Sequence, residues 1–73
     1  MKPVPEIITN GGWTYFEKCR CSGILKYKFK HADKPGLVLE WLVLYAKFKI
    51  INRNKVKVAA TPLSKYNEVW QTL

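Results

Sequence analysis

Residues 24–30 read Ile-Leu-Lys-Tyr-Lys-Phe-Lys, so that large apolar and lysine side chains alternate through the segment. Successive side chains of a β-strand point to opposite faces of the sheet. The pattern therefore predicts a strand with an apolar face, formed by Leu25, Tyr27 and Phe29, and a solvated cationic face. The cationic face carries Lys26, Lys28 and Lys30.

Turn signals on both sides of this segment divide the chain into four predicted strands. Ser22-Gly23, Asp-Lys-Pro-Gly at residues 33–36 and Asn-Arg-Asn at residues 52–54 are typical of turns. Residues 37–51 contain neither Gly nor Pro and end in an alternating pattern, which favours one long strand over a helix. The predicted strands are residues 13–19, 24–30, 37–51 and 55–60.

The C-terminal segment has the features of a helix. Thr61 is a suitable N-cap residue, and Pro62 suits the first helical position. The apolar residues that follow recur at helical spacing and form one stripe. The stripe comprises Leu63, Tyr66, Val69, Trp70 and Leu73. We therefore predict one small α+β domain (β-β-β-β-α) in residues 13–73, an antiparallel sheet with this helix on its apolar face. The Pro-containing residues 1–12 are predicted to form an extended N-terminal arm.

Side-chain matching across the turns predicts the register of the sheet, because a slip of one residue sends every side chain to the other face. A three-residue loop at residues 52–54 pairs Ile50 with Val56, so that apolar residues meet on the core face. The same loop sets Lys49 opposite Lys57 on the outer face.

The same matching across residues 33–36 pairs Phe29 with Val38, and it sets Tyr27 opposite Glu40 on the core face. Seven lysines from three strands then share the outer face of the predicted sheet. They are Lys26, Lys28, Lys30, Lys47, Lys49, Lys55 and Lys57.

The charge of the chain is concentrated in this region. The chain has 73 residues and a formal net charge of +8, and residues 18–57 hold 11 of its 13 Lys and Arg. Lysines contact phosphates electrostatically, and exposed aromatic rings stack on unpaired bases. We therefore expect a small non-enzymatic protein that binds nucleic acid or another polyanion. The candidate binding residues are Lys26, Lys28, Lys30, Lys47, Lys49, Arg53, Lys55, Lys57, Trp41 and Tyr45.

One end of the predicted outer face is apolar, and it is formed by Leu37, Leu39, Trp41 and Val43. Such a patch is too apolar for the free surface of a monomer. Either the N-terminal arm covers it, through Val4, Ile7 and Ile8, or a protein partner does. The second alternative predicts a protein–protein interaction module, such as a homodimer, a phage or virion component, or an inhibitor of a nucleic-acid-handling protein.

The two cysteines, Cys19 and Cys21, lie about 7 Å apart if they belong to one strand, at the edge of disulfide range. Together with His31 they offer three of the four ligands that Zn²⁺ usually takes. The alternative is a pair of reduced thiols and a turn histidine with no metal, and this is the interpretation that we adopt.

Other classes of function have no supporting motif in the sequence. Gly11-Gly12 is followed by Trp13 rather than by the Lys-Ser/Thr of a phosphate-binding loop, and the single histidine suggests no catalytic triad. No apolar run approaches the roughly 20 residues of a membrane span, and no apolar signal core follows Lys2. We expect no enzymatic activity, no cofactor, no membrane partner, and a cytoplasmic location with reduced thiols.

Overall fold

A computed structural model describes residues 4–52 and 57–72 of the chain, with the backbone alone for residues 57 and 58. Five antiparallel strands follow one another in the sheet in sequence order: β1 (Trp13–Cys21), β2 (Ile24–His31), β3 (Leu37–Leu42), β4 (Lys47–Asn52) and β5 (Lys57–Pro62). A one-turn helix, α1 (Glu6–Thr9), precedes the sheet, and a 3₁₀ turn (Leu63–Lys65) and helix α2 (Tyr66–Gln71) follow it. The predicted α+β fold, an antiparallel sheet with a C-terminal helix, is confirmed.

The prediction of a single strand at residues 37–51 is wrong, because the chain turns at residues 43–46. These residues, Val-Leu-Tyr-Ala, include none of the usual turn formers. Ala46 closes the turn in a left-handed conformation, with φ 53°. The turn lets Leu39 pair with Ile50, and both become fully buried. Burial of each such side chain contributes about 1.5–3 kcal/mol, so the two together exceed a left-handed strain of about 1–2 kcal/mol at Ala46.

Both helices pack on one face of the sheet, which we call the core face. Ile8 of α1 is completely buried there, and the ring of Tyr66 of α2 packs 5.6 Å from the ring of Phe48. The opposite face is not covered by either helix. The buried cluster on the core face comprises Ile8, Trp13, Phe29, Leu37, Leu39, Trp41, Phe48, Ile50 and Tyr66.

The predicted register between β2 and β3 is wrong by one residue. Phe29 pairs with Leu39 instead of Val38, and Tyr27 pairs with Trp41 instead of Glu40. The shift places the odd-numbered residues of β3 on the core face, where they meet the apolar residues of β4. If residues 37–51 form one strand, β3 has no β4 to pair with. Side-chain matching between β2 and β3 alone therefore put the even-numbered residues of β3 on the core face.

The predicted register between β4 and β5 is also wrong, by two residues near the turn and by three beyond a β-bulge between Phe48 and Ile50, where Phe48 pairs with Thr61 rather than Val58. Ile50 pairs with Val58 rather than Val56, and Lys57 lies opposite Ile51 rather than Lys49. A shift of two residues preserves the alternation of faces at this end of the hairpin. The predicted turn residues Arg53 and Asn54 and the strand residues Lys55 and Val56 lie outside the described residues.

The two terminal segments differ from the predictions in their local structure. Thr61 and Pro62 end strand β5, so the predicted N-cap at Thr61 is wrong, and the helix follows after a 3₁₀ turn. Four residues of the predicted stripe face the core, since Tyr66 is buried and the partly buried Leu63, Val69 and Trp70 pack against the cluster, whereas Leu73 lies outside the described residues. The N-terminal arm contains α1 instead of being extended throughout.

Candidate functional site

The sheet face opposite the helices carries five lysines, and we call it the lysine face. Lys26, Lys28 and Lys30 come from β2, and Lys47 and Lys49 come from β4. Strand β3 lies between them, with Val38, Glu40 and Leu42 on the same face by register. The structure therefore brings together five of the seven lysines predicted to share a face. Of the remaining candidates, Arg53 and Lys55 lie outside the described residues, and Lys57 is described only by its backbone pairing with Ile51.

Glu40 occupies the centre of the lysine face. Its side chain is largely buried, with 7% of the residue exposed, and its carboxylate oxygens lie 3.8 Å from Lys26 Nζ and 3.9 Å from Lys28 Nζ. Lys49 is its direct partner on β4. The predicted register placed Glu40 on the core face beside Tyr27, away from these lysines. The one-residue change of register brings it among them.

Charges alternate across the middle of the lysine face. Along one row of paired residues, Glu17 lies opposite Lys28, Lys28 opposite Glu40, and Glu40 opposite Lys49. Opposite charges in paired positions of a sheet are mutually stabilising, whereas like charges are not. Among the described side chains of this face, the five lysines and the two acids give a net charge of +3. The predicted Lys49–Lys57 contact is therefore replaced by a Lys49–Glu40 pair.

The aromatic residues of the predicted binding surface are divided by the fold. Trp41 is buried in the core, with 4% of its surface exposed, whereas Tyr45 lies in the β3–β4 turn and is 55% exposed. Phe16 of β1 was not among the candidates, yet it is 42% exposed and its ring centroid lies 4.7 Å from Lys30 Nζ. A β-bulge between Tyr15 and Glu17 changes the alternation here, and no Gly or Pro in the sequence signals it.

The predicted outer apolar patch is not on the surface. Leu37, Leu39 and Trp41 are buried in the core, and Val43 is half-buried against it. The cause is the register of β3, which turns its odd-numbered residues toward the helices. Of the two alternatives for covering these side chains, the arm contributes directly, because Ile8 belongs to the same buried cluster. The surface on which a protein interface was predicted is thus part of the core.

The candidate zinc ligands lie far apart in the fold. Cys19 and Cys21 are free thiols near one end of β1, whereas His31 ends β2 at the opposite end of the sheet, beside Trp13. His31 is buried, and its Nδ1 accepts a hydrogen bond from the Asp33 N–H (3.1 Å). Its Nε2–H then donates to the Gly11 carbonyl at 2.9 Å, so both ring nitrogens are occupied. Within residues 4–52 and 57–72, no three potential ligands converge on one point.

A groove that the sequence analysis missed lies on the core face, between α1 and strands β1 and β2. Its volume is about 420 Å³. Aromatic rings of Tyr15, Tyr27 and Phe29 line it together with Val4, and Lys18, Glu6 and Thr9 supply polar groups. Tyr15 is 49% exposed, and its ring lies 5.7 Å from that of Tyr27. The groove forms because α2 covers another part of the core face. The sequence pattern of β1 and β2 does not show which part of that face a helix will cover, so the groove was not predicted.

Comparison with known proteins gives no relative for this chain. No protein-family model matches it, and no curated protein or solved structure shows significant similarity to it. In the part of the chain that the structure describes, neither helix has the length and apolar character needed to cross a bilayer.

Proposed function

We propose that this protein binds nucleic acid, or a polyanion of similar charge density, through the lysine face and without catalysing a reaction. The observation that carries the proposal is the position of five lysines on the one face of the sheet that neither helix covers. Among the described strand residues of this face, Phe16 is the exposed large hydrophobic side chain.

The energy of such binding comes from counterion release. Each phosphate that a lysine neutralises frees a condensed cation, so that affinity falls steeply with salt. Three to five contacts on a single strand correspond to a slope of about −2 to −3.5 in a plot of log K against log salt. The acids Glu17 and Glu40 reduce the net charge, so we expect moderate affinity. This role accords with the cytoplasmic location expected from the free thiols of Cys19 and Cys21.

Low sequence selectivity follows from the kind of cation on this face. Arginine reads guanine through a bidentate fork, whereas lysine acts as a point charge on phosphate. The chain has two arginines: Arg20 pairs with Leu25, on the core face by register, and Arg53 lies outside the described residues. We therefore expect similar affinities for unrelated sequences at a given salt concentration.

Matched charge reversals test the proposal. The variant K30E/K47E changes two exposed lysines of the lysine face, and K34E/K65E changes two lysines beside α2. Both variants lower the net charge from +8 to +4. In retardation assays with single- and double-stranded RNA and DNA, we expect the first variant to lose at least tenfold in affinity and to flatten the salt slope. The second should lose less than threefold.

Two outcomes would contradict the proposal. Equal losses in the two variants would mean that net charge, rather than the lysine face, attracts the polyanion. A wild-type affinity that does not change between low and moderate salt would exclude phosphate contacts as the source of binding.

A further inference from the structure

Strand β1 presents two neighbouring aromatic rings on opposite faces of the sheet. It is an edge strand, and its bulge lies between Tyr15 and Glu17. The ring of Phe16 lies on the lysine face against Lys30, while the ring of Tyr15 lies on the core face, 5.9 Å from Phe29. Both rings are more than 40% exposed. Bulges at sheet edges often redirect side chains, and they are common next to functional sites. A ligand that contacts both rings would have to pass over the β1 edge.

The first ring lies beside a cation that can hold a phosphate. Lys30 Nζ is 4.7 Å from the centroid of Phe16, and no acidic partner of Lys30 is found within residues 4–52 and 57–72. Lys30 Nζ lies over a face of the Phe16 ring, so a base that stacks on this face would displace the ammonium, which could then bind the phosphate of the same nucleotide. Stacking on an aromatic ring is tolerant of base identity, because every base has a π face.

The second ring forms a wall of the groove on the core face. Tyr15 and Tyr27 supply aromatic surface above the buried ring of Phe29. Lys18 supplies a cation beside them, and Glu6 a carboxylate. The volume of about 420 Å³ falls within the range of small-ligand sites, which is roughly 300–1,000 Å³. The groove therefore has room for one unpaired base, with Lys18 available for the adjoining phosphate.

We infer that the nucleic acid of the proposed function is single-stranded, and that it crosses the β1 edge with one base on Phe16 and another in the groove against Tyr15. The inference rests on the proposed function, since it names the class of nucleic acid that the lysine face would take. A single strand can bend over one β-strand. Duplex DNA, with a persistence length of about 50 nm and its bases stacked inside, cannot.

A preference for single strands is diagnostic because electrostatics alone predicts the reverse. Duplex DNA carries the higher linear charge density, and its salt slope per contact is steeper. A flat lysine surface without base contacts would bind a duplex at least as tightly as a single strand. Only contacts with unpaired bases overcome that difference.

The experiment measures fluorescence anisotropy with a labelled oligothymidylate and a labelled DNA hairpin duplex of equal phosphate number. We expect the wild-type protein to bind the single strand at least fivefold more tightly than the duplex. The variants Y15L and F16L should each lose about fivefold or more for the single strand and less than twofold for the duplex. The ring-retaining variants Y15F and F16Y should keep the wild-type affinity. Thermal unfolding of each variant confirms that it is folded. F16L is the safer of the two, because the ring of Tyr15 packs 5.9 Å from that of Phe29, a member of the core cluster.

The outcomes separate this inference from the proposal on which it rests. If the duplex binds as well as the single strand, or if Y15L and F16L bind the single strand like wild type while K30E/K47E does not, the crossing of the β1 edge is wrong and the lysine face stands. If wild-type protein binds neither nucleic acid at low salt, both are wrong.

Discussion

The ring of His31 occupies the space that a side chain on Gly12 would need. Its φ is 94°, and a Cβ placed on it would lie 2.7 Å from His31 Nε2. His31 itself is held on both sides, since Nε2–H donates to Gly11 and Nδ1 accepts from Asp33. The imidazole also packs between Trp13 and Trp70, with ring centroids 4.9 and 4.8 Å away. The buried histidine thus fastens the N-terminal arm to the end of the sheet, a structural role that leaves no free ring nitrogen.

Substitution of Gly12 by alanine should destabilise the fold strongly. The change combines backbone strain of about 1–3 kcal/mol with a clash against a ring that cannot retreat. Gly23 provides the matched control, because its φ is 78° but nothing lies within 4 Å of its added Cβ. We expect G12A to lose at least about 1 kcal/mol more than G23A in urea unfolding. Equal losses would show that the contact with His31 carries no cost.

The environment of Glu40 leads to a second testable prediction. It separates Lys26, Lys28 and Lys49, so the isosteric variant E40Q leaves three neighbouring lysines without their shared counter-charge. We expect a loss of about 1 kcal/mol in unfolding free energy at low salt, smaller at moderate salt. Under the proposed function, affinity for single-stranded DNA should rise at the same time.

The matched control for Glu40 is Glu68. Its carboxylate lies 3.8 Å from Lys65 Nζ, but the pair is exposed and belongs to the helical side of the molecule. E68Q makes the same change of net charge, and we expect it to alter neither stability nor affinity measurably. Urea unfolding at two salt concentrations, with anisotropy binding, checks both variants. An unchanged affinity in E40Q would argue against phosphate contacts at the centre of the lysine face.

At the scale of elements, helix α2 is anchored to strand β1 by a buried hydrogen bond. Trp13 Nε1–H donates to the hydroxyl oxygen of Tyr66 at 2.8 Å. Trp70 packs edge-on against Trp13 at 5.9 Å and stacks at 6.4 Å on Tyr66, one turn away on the same helix. A helix of six residues has little stability of its own, so these tertiary contacts hold it in place.

Removal of the acceptor should measure this anchor. In Y66F the indole N–H of Trp13 stays buried without a partner, which costs about 1–3 kcal/mol. The variant Y45F removes a hydroxyl from the exposed β3–β4 turn and should cost almost nothing. Urea unfolding of both variants gives the comparison. A Y66F protein as stable as wild type would mean that water or another group satisfies the indole in its place.

The elements also show which sequence patterns were informative. The alternation in residues 24–30 predicted β2 correctly, and the stripe of Leu63, Tyr66, Val69 and Trp70 predicted which side of the C-terminal segment meets the core. The turn at residues 43–46 was missed because it consists of apolar residues and is closed by Ala46 in a conformation that alanine seldom adopts. Its stability comes from the burial that it permits in β3 and β4.

For the whole molecule, the concentration of charge predicts how salt affects stability. A net charge of +8 on 73 residues, with five lysines on one face, destabilises the compact state by self-repulsion. Raising KCl from 0.01 M to physiological strength shortens the Debye length from about 30 Å to about 8 Å. We expect the free energy of unfolding to rise by about 1 kcal/mol over this range.

The two double charge reversals show which lysines cause that repulsion. The salt-dependent gain should shrink in K30E/K47E, whose lysine face is partly neutralised, and persist in K34E/K65E. Chemical unfolding with urea, which carries no charge, keeps the ionic strength under control. A stability that decreases with added KCl would mean that ion pairs such as those of Glu40 outweigh the repulsion among the lysines.

Side-chain periodicity and composition were enough to predict a small α+β domain with an alternating strand, an apolar C-terminal stripe and a local concentration of cations. Which face of β3 is buried depends on long-range packing. The buried face is set by the β2–β3 register, which places either the odd- or the even-numbered residues of β3 on the core face. Burial of Leu39 and Trp41 against β4 favours the odd-numbered residues, and matching β2 to β3 alone does not include these contacts. The same long-range packing moved Trp41 into the core, brought Glu40 among the lysines, and left the groove beside Tyr15 open.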